Sequence, residues 1–282
     1  MAELDLRAYL ALRLPEVERA LDAALPERGA WPESLARAMR HLVFPGGKRL
    51  RAALALASAE AVGAEPSRAV PMAVAIELVH TYSLIHDDLP CMDDDDLRRG
   101  RPTVHVAHGE AEAVLAGDAL LALAFEVLLG TAGADAAAVR DAAHDLARAA
   151  GARGLVGGQI DDLRFDPAGA DAKSIESVHA RKTAALFTCA AVGGARLAGA
   201  DAAALRRLRD FGERLGIAFQ IADDALDADA GDACSYLRVA GARGARERAE
   251  ALLEEALAAL DAFGERADAL RAIARAGVRR SE

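Results

Sequence analysis

An all-α, single-domain bundle over residues 1–282 is the fold class this sequence predicts, and three observations predict it. Ala, Leu, Arg and Glu, which form helices well, dominate a chain with only 4% aromatic residues. β-Branched residues are scattered and never alternate over a strand's length, so a sheet has no material. Two long runs of helical spacing, 69–88 and 202–229, each end in a cluster of aspartates.

The elements follow in order. Residues 4–25 read as an amphipathic helix, with Pro15 as its one candidate break. Trp31-Pro32-Glu33-Ser34 reads as a helix start; Leu35, Met39 and Leu42 form the apolar face, and Phe44-Pro45-Gly46-Gly47 ends it. The next helix runs to about Val62, and Gly63 to Pro66 turn the chain. Ala69 to Asp88 is apolar all round, as a buried helix is. Helices are expected at about 110–129 and 136–151. The glycines of 154–158 indicate close packing or a kink. Ser174 is the expected N-cap of a helix to Ala191, which weakens at Gly193-Gly194. The run 202–229 is one long helix, and amphipathic helices near 243–262 and 265–276 close the chain.

The chemistry concentrates where the first long apolar helix ends. Asp87, Asp88 and Asp93 to Asp96 place six carboxylates within ten residues, followed by Arg98 and Arg99. Each raises the cost of ionising the next, so a cation belongs there. Mg²⁺ takes one or two carboxylates and completes its shell with substrate phosphates and water. Arg98 and Arg99 offer forked donors to phosphate oxygens. A solvated acidic loop is the plain alternative. The second cluster is Asp223, Asp224 and Asp227, in which Asp223 and Asp227 stack four apart. Gly46-Gly47-Lys48-Arg49-Leu50-Arg51 puts two glycines before three cations at a helix opening. That is either an anion cradle or a turn followed by surface cations. His80 lies two turns before Asp87 and can share its cavity, or it is a hydrogen-bonded core histidine. Gln159 and Asp162, three apart, reach one side. Lys182, beside Thr183 among small and apolar neighbours, either snorkels or serves an anion.

Composition excludes other classes. A formal charge of −10 argues against a nucleic-acid partner. Charge interrupts every apolar run before about eighteen residues, so no integral membrane segment is expected. Met-Ala-Glu-Leu-Asp lacks the basic start and apolar stretch of a signal peptide. Cys91, Cys189 and Cys234 fit neither a disulfide framework nor a metal-ligand spacing. A reduced, cytoplasmic setting is expected.

Together the motifs resemble the trans-prenyltransferases of the polyprenyl diphosphate synthase family. They are Gly46 to Arg51, His80 to Asp93 with Arg98-Arg99-Gly100, Gly117-Asp118, Gly157-Gly158-Gln159, Lys182-Thr183, and Phe219-Gln220 with Asp223, Asp224 and Asp227. The resemblance runs from Gly46 to about Asp227 and continues more loosely. It implies an isoprenoid synthase fold, with roughly ten or more helices around a central cavity, usually as a homodimer. It implies Mg²⁺, about three ions per active site. Asp87, Asp88 and Asp93 would hold two, and Asp223 the third, supported by Asp224 and Asp227. An allylic diphosphate would be clamped with help from Arg98 and Lys182. Isopentenyl diphosphate would sit on Lys48, Arg51, His80 and Arg99. Thr183 and Gln220 would offer oxygen dipoles to a carbocation. The released diphosphate takes the final proton, so no side-chain base is required.

Product length is partly readable. Four residues separate Asp88 from Asp93, the longer bacterial form. Tyr82 and Ser83 precede Asp87 by five and four positions. A ring at Tyr82, about a turn and a half deeper, would floor the tunnel of the growing chain. The chain looks most like bacterial short-chain farnesyl diphosphate synthases, with geranylgeranyl diphosphate synthase as the alternative. It departs from the family at three places. Ala52 stands for the usual proline, and Asp161 has no assigned role. After Asp227 a short acidic stretch replaces a loop with two lysines, leaving closure to Arg238, Arg243 or another segment. That gap keeps open a non-catalytic subunit of a prenyl synthase. A class I terpene cyclase, which needs no Lys48/Arg51/His80 site, and a Ca²⁺-binding interaction protein without EF-hand spacing are weaker readings.

Overall fold

The computed structural model describes residues 4–25, 31–226 and 233–279. Among them are thirteen α-helices and one two-stranded ribbon, so the all-α expectation holds. α1 (Leu6–Ala24) starts on Asp5, whose carboxylate accepts the Arg7 and Ala8 amides, and carries Pro15 without breaking. α2 (Glu33–Val43), α3 (Leu50–Ala61) and α4 (Val70–Asp87) follow. Next comes an antiparallel ribbon, β1 (Leu97–Arg98) with β2 (Arg101–Pro102), and the short α5 (Val104–His108). Neither has a periodic signal in so few residues. α6 (Glu110–Leu129) and α7 (Ala136–Ala150) are close to expectation, and α8 (Leu155–Leu163) forms over the glycine-rich stretch, for which the sequence predicts only close packing or a kink. α9 (Ala172–His179) runs through a π turn (Ala180–Ala184) into α10 (Ala185–Leu197). α11 (Ala202–Leu226), α12 (Leu237–Ala259), a 3₁₀ segment (Asp261–Ala267) and α13 (Asp268–Val278) complete the bundle.

α10 is the centre. It packs against α3, α4, α7 and α11, and Leu186, Phe187, Ala190, Ala191 and Val192 are buried in those contacts. α4 and α11, which carry the two acidic clusters, flank it. Among the described residues, α4 forms part of the one segment (Pro66–Asp87) that is long and apolar enough to cross a membrane by length and composition. Charge still interrupts this segment, at Glu77 in its middle, as expected. Most of that segment is buried within the bundle.

Three local expectations are corrected. The N-cap of α9 is Asp171, not Ser174; Ser174 sits at the third helical position and closes a capping box. α12 begins at Leu237, with a non-helical Gly241 near its start. Gly193-Gly194 do not weaken α10, which continues to Leu197. A Cβ at Gly194 would stand 2.2 Å from the Ala55 carbonyl oxygen. The glycine is there to let α10 touch α3. Alanine favours helix by about 1 kcal/mol, but forcing these backbones apart costs up to about 3 kcal/mol. Gly194→Ala is therefore expected to lower the melting temperature by several degrees in calorimetry; a rise would mean that propensity wins.

Candidate active site

The acidic turn folds back on itself. Beyond Pro90 the Asp93 amide donates to the Asp87 carbonyl at 2.9 Å, which returns Asp93 to the end of α4. Asp88 is fully buried. One of its oxygens accepts from Arg98 Nε at 2.5 Å, and the other has no hydrogen-bond partner. Burial pushes the Asp87 carboxyl up to about 7, with Asp93 and Asp88 adding to the rise and Lys182 opposing it. Burial likewise raises Asp88 and Asp93. These acids are held where ionisation is costly, and one buried oxygen is orphaned. A hard cation answers both conditions. Among the described residues no three ligating side chains converge on one point.

The π turn joins this cluster to the second one. It sets Lys182 and Thr183 at the junction of α8, α9 and α11. The Lys182 ammonium pairs with Asp162. Burial alone would lower Lys182, but Asp162, Asp87 and Asp93 outweigh it and raise its pKa. Thr183 Oγ1 donates to Gln220 Oε1 at 2.8 Å, and Gln220 Nε2 donates to Asp224 Oδ1 at 3.3 Å. Asp224 Oδ2 accepts the Tyr236 amide at 2.8 Å and lies 3.6 Å from His179 Nε2. Asp224 was expected among the metal ligands, yet its buried carboxylate is committed to the protein wall. Asp223 is half-buried beside it. Asp227 lies outside the described residues. Arg243 is exposed and pairs with Glu247 at 3.7 Å. Asp161, without a role in the sequence, pairs with Arg181. Gln159 is a site residue that the sequence reading left without a role. It is buried, and neither its amide nitrogen nor its oxygen has a partner. The signal was there in Gly157-Gly158-Gln159.

The expected cations of the other substrate do converge. Lys48, Arg51, His80 and Arg99 line a cavity of about 340 Å³ with Glu77 and Phe219. Burial, then the positive charge of Arg51, Arg99, Arg49 and Arg98, holds His80 well below the usual histidine range. Arg51 lies over the Phe187 ring at 4.6 Å. Arg49 was not singled out, yet it is buried here. It donates to Glu18 at 2.8 Å, Glu77 at 3.1 Å and the Val43 carbonyl at 2.6 Å. A Cβ at Gly46 would stand 2.0 Å from the Arg49 guanidinium carbon, and one at Gly47 would stand 2.9 Å from an Arg99 nitrogen. The two glycines make room for guanidiniums. The Ala52 amide donates to Glu77 at 3.2 Å, a bond that proline lacks. The ribbon bearing Arg98 and Arg99 is tied to α2: His41 Nε2 donates to the Pro102 carbonyl at 2.8 Å and Arg101 to that of Phe44 at 3.0 Å.

Tyr82 is buried, with its ring edge-on to His86 at 5.7 Å and its hydroxyl 3.5 Å from the Ala150 carbonyl. Ser83 Oγ donates to the His80 carbonyl at 2.9 Å.

A family model described as polyprenyl synthetase matches residues 32–235. The chain belongs to the polyprenyl synthetase family. Like the other family members it matches, this polyprenyl synthetase aligns over most of its length. It is 43% identical over 224 residues to a farnesyl diphosphate synthase of Bacillus subtilis, covering 79% of this chain and 75% of the relative. It is also 43% identical over 272 residues to a heterodimeric geranylgeranyl pyrophosphate synthase large subunit of Arabidopsis thaliana, covering 89% and 73%. The crystal structure of an FPP/GFPP synthase from Zymomonas mobilis superposes with a TM-score of 0.88 at 40% identity, covering 96% of this chain and 97% of that one. The family's acidic and basic motifs thus lie on the fold of its solved members.

Proposed function

We propose that this polyprenyl synthetase is a short-chain trans-prenyl diphosphate synthase that joins isopentenyl diphosphate to dimethylallyl and geranyl diphosphate and stops at farnesyl diphosphate. One observation carries the condensation: two separate anion sites meet on α4. One is the acidic turn with Arg98 and Lys182; the other is the cationic cavity of Lys48, Arg51, His80 and Arg99. A cyclase, with one diphosphate substrate, has no use for the second. A non-catalytic subunit has no use for an intact pair.

Asp87, Asp88, Asp93 and Asp223 would hold Mg²⁺, which when bound stabilises the charge that develops on the departing diphosphate. Arg98 and Lys182 orient that diphosphate with charge-assisted hydrogen bonds. Thr183 and Gln220, already bonded to each other, turn oxygen dipoles toward the carbocation without being strong nucleophiles. Asp224 fixes Gln220 and so acts as a positioning residue. Arg49 holds Glu77 and the wall of the cationic cavity. The neutral His80 ring donates to the diphosphate of isopentenyl diphosphate beside Arg51. The carbocation is kept dry by α10, and the released diphosphate removes the final proton.

The farnesyl product rests on the buried ring of Tyr82 below Asp87. A homodimer is supported by α6, whose exposed face carries Val114, Leu115 and Leu129. The free cysteines suit a reducing cytoplasm. The test is direct. Purified protein with Mg²⁺, isopentenyl diphosphate and either allylic diphosphate should give farnesyl diphosphate. A twenty-carbon product would move the reading to the geranylgeranyl class of the plant relatives. No elongation by the protein alone would overturn it.

A further inference from the structure

One cavity of the bundle lies outside both substrate sites. It has a volume of about 630 Å³ and opens on the outer side of α10, between α7 and α11. Arg148, Arg153 and Arg209 line it, over a wall that includes Ala180, Ala185 and Val192. None of the three arginines is ion-paired among the described residues. The acids at the cavity are fewer. Asp145 is already held by Arg196 at 2.8 Å, which leaves Glu213 as the one carboxylate not so committed. In a protein of net charge −10, three uncompensated guanidiniums converging on one hollow are a local reversal of charge. Guanidinium forks match phosphate oxygens bidentately. The cavity size falls within the ordinary range for small-molecule sites.

Its position gives it leverage. Ala180 opens the π turn and Ala185 follows it, and both line this cavity. Lys182 and Thr183, inside the same turn, make their contacts on the opposite side with Asp162 and Gln220. A ligand in the outer cavity would press on the back of the segment that joins the two acidic clusters.

We propose that this cavity binds a diphosphate anion, and that its occupation slows condensation by shifting the π turn. The inhibitory half rests on the prenyl synthase reading; the binding half does not. The diphosphate could be free or the head of a short prenyl diphosphate, whose tail would lie on the alanine and valine wall.

Calorimetric titration in Mg²⁺-free buffer tests the site. With inorganic diphosphate, the wild-type protein should show one class of sites that survives Lys48→Gln/Arg51→Gln and is weakened at least about tenfold by Arg148→Gln/Arg209→Gln. These two arginines are exposed, and an unchanged melting curve would verify folding. Isopentenyl diphosphate, titrated on the Lys48→Gln/Arg51→Gln variant, identifies the source: tighter binding than diphosphate assigns a prenyl head, equal binding a free anion. An Arg148→Gln/Arg209→Gln isotherm identical to wild type would overturn the proposal. In turnover assays, inhibition by added diphosphate should include a component noncompetitive with both substrates, and Arg148→Gln/Arg209→Gln should lose that component and keep only competition at the active site, with basal rate kept. Purely competitive inhibition would overturn the regulatory half. If no elongation occurs at all, the function falls while calorimetry still decides the site.

Discussion

Asp87→Asn is expected to raise the melting temperature of the metal-free protein at pH 8 and to cut kcat about 10³-fold. The two effects have one cause. In the folded protein burial holds the Asp87 proton up to about 7, against an ordinary value of 3.8. Between these values the folded state binds a proton that the unfolded chain has lost. Stability from this group is therefore full below pH 3.8, falls as pH rises through the window, and stays low above 7. At about 1.4 kcal/mol per unit, the cost at pH 8 is on the order of 4 kcal/mol, with the opposing charges of Lys182 and Arg98 already included. Asparagine cannot ionise and escapes it. The difference in melting temperature, Asp87→Asn minus wild type, should be near zero at pH 4 and positive at pH 8. A difference that is flat with pH, or negative at pH 8, would sink the account. The lost kcat reflects the same carboxylate in its working role, as a cation ligand with no replacement.

Tyr82→Ala is expected to shift the main product from fifteen to twenty carbons or more. Tyr82 lies five residues before Asp87, about 7.5 Å back along α4, and its ring is buried against His86. A chain growing away from the acidic turn meets it head-on. Truncation opens that space at a stability cost of about 3 kcal/mol. Tyr82→Phe keeps the ring and loses only the long contact to Ala150, so its product should stay at fifteen carbons. Chromatography of dephosphorylated products reads both variants. An unchanged distribution in Tyr82→Ala places the floor elsewhere, with the facing residues of α6 next in line.

Much of the site was legible because it depends on short-range facts. The apolar run to Asp87, the stop at Pro90 and the return of Asp93 follow from helix geometry and proline. The pairing of cations with acidic clusters follows from charge. What was missed depends on contacts between segments far apart in the chain. Arg49 reads as one more surface cation until Glu18 and Glu77, on other helices, close around it. Gly194 reads as a helix breaker until α3 arrives beside it. Asp224 is indistinguishable from Asp223 in sequence; only the Tyr236 amide, from beyond the acidic stretch, turns it into the wall. Ala52 reads in sequence only as a replacement for the usual proline, and its amide supports Glu77.

The π turn at Ala180–Ala184 also sets an arithmetic constraint on the chain. Each residue in an α-helix advances the side-chain direction by roughly 100°, whereas a π turn accommodates one residue more per turn. The line from α9 to α10 therefore carries a surplus residue at the point where it passes the reaction centre. Upstream, Ile175 and Val178 keep their buried azimuth; downstream, Leu186, Phe187 and Ala190 keep theirs. Excision of a single residue here would restore an ordinary helix and leave both flanks of the central rod in phase, but it would remove the bulge that presents Lys182 to Asp162 and Thr183 to Gln220.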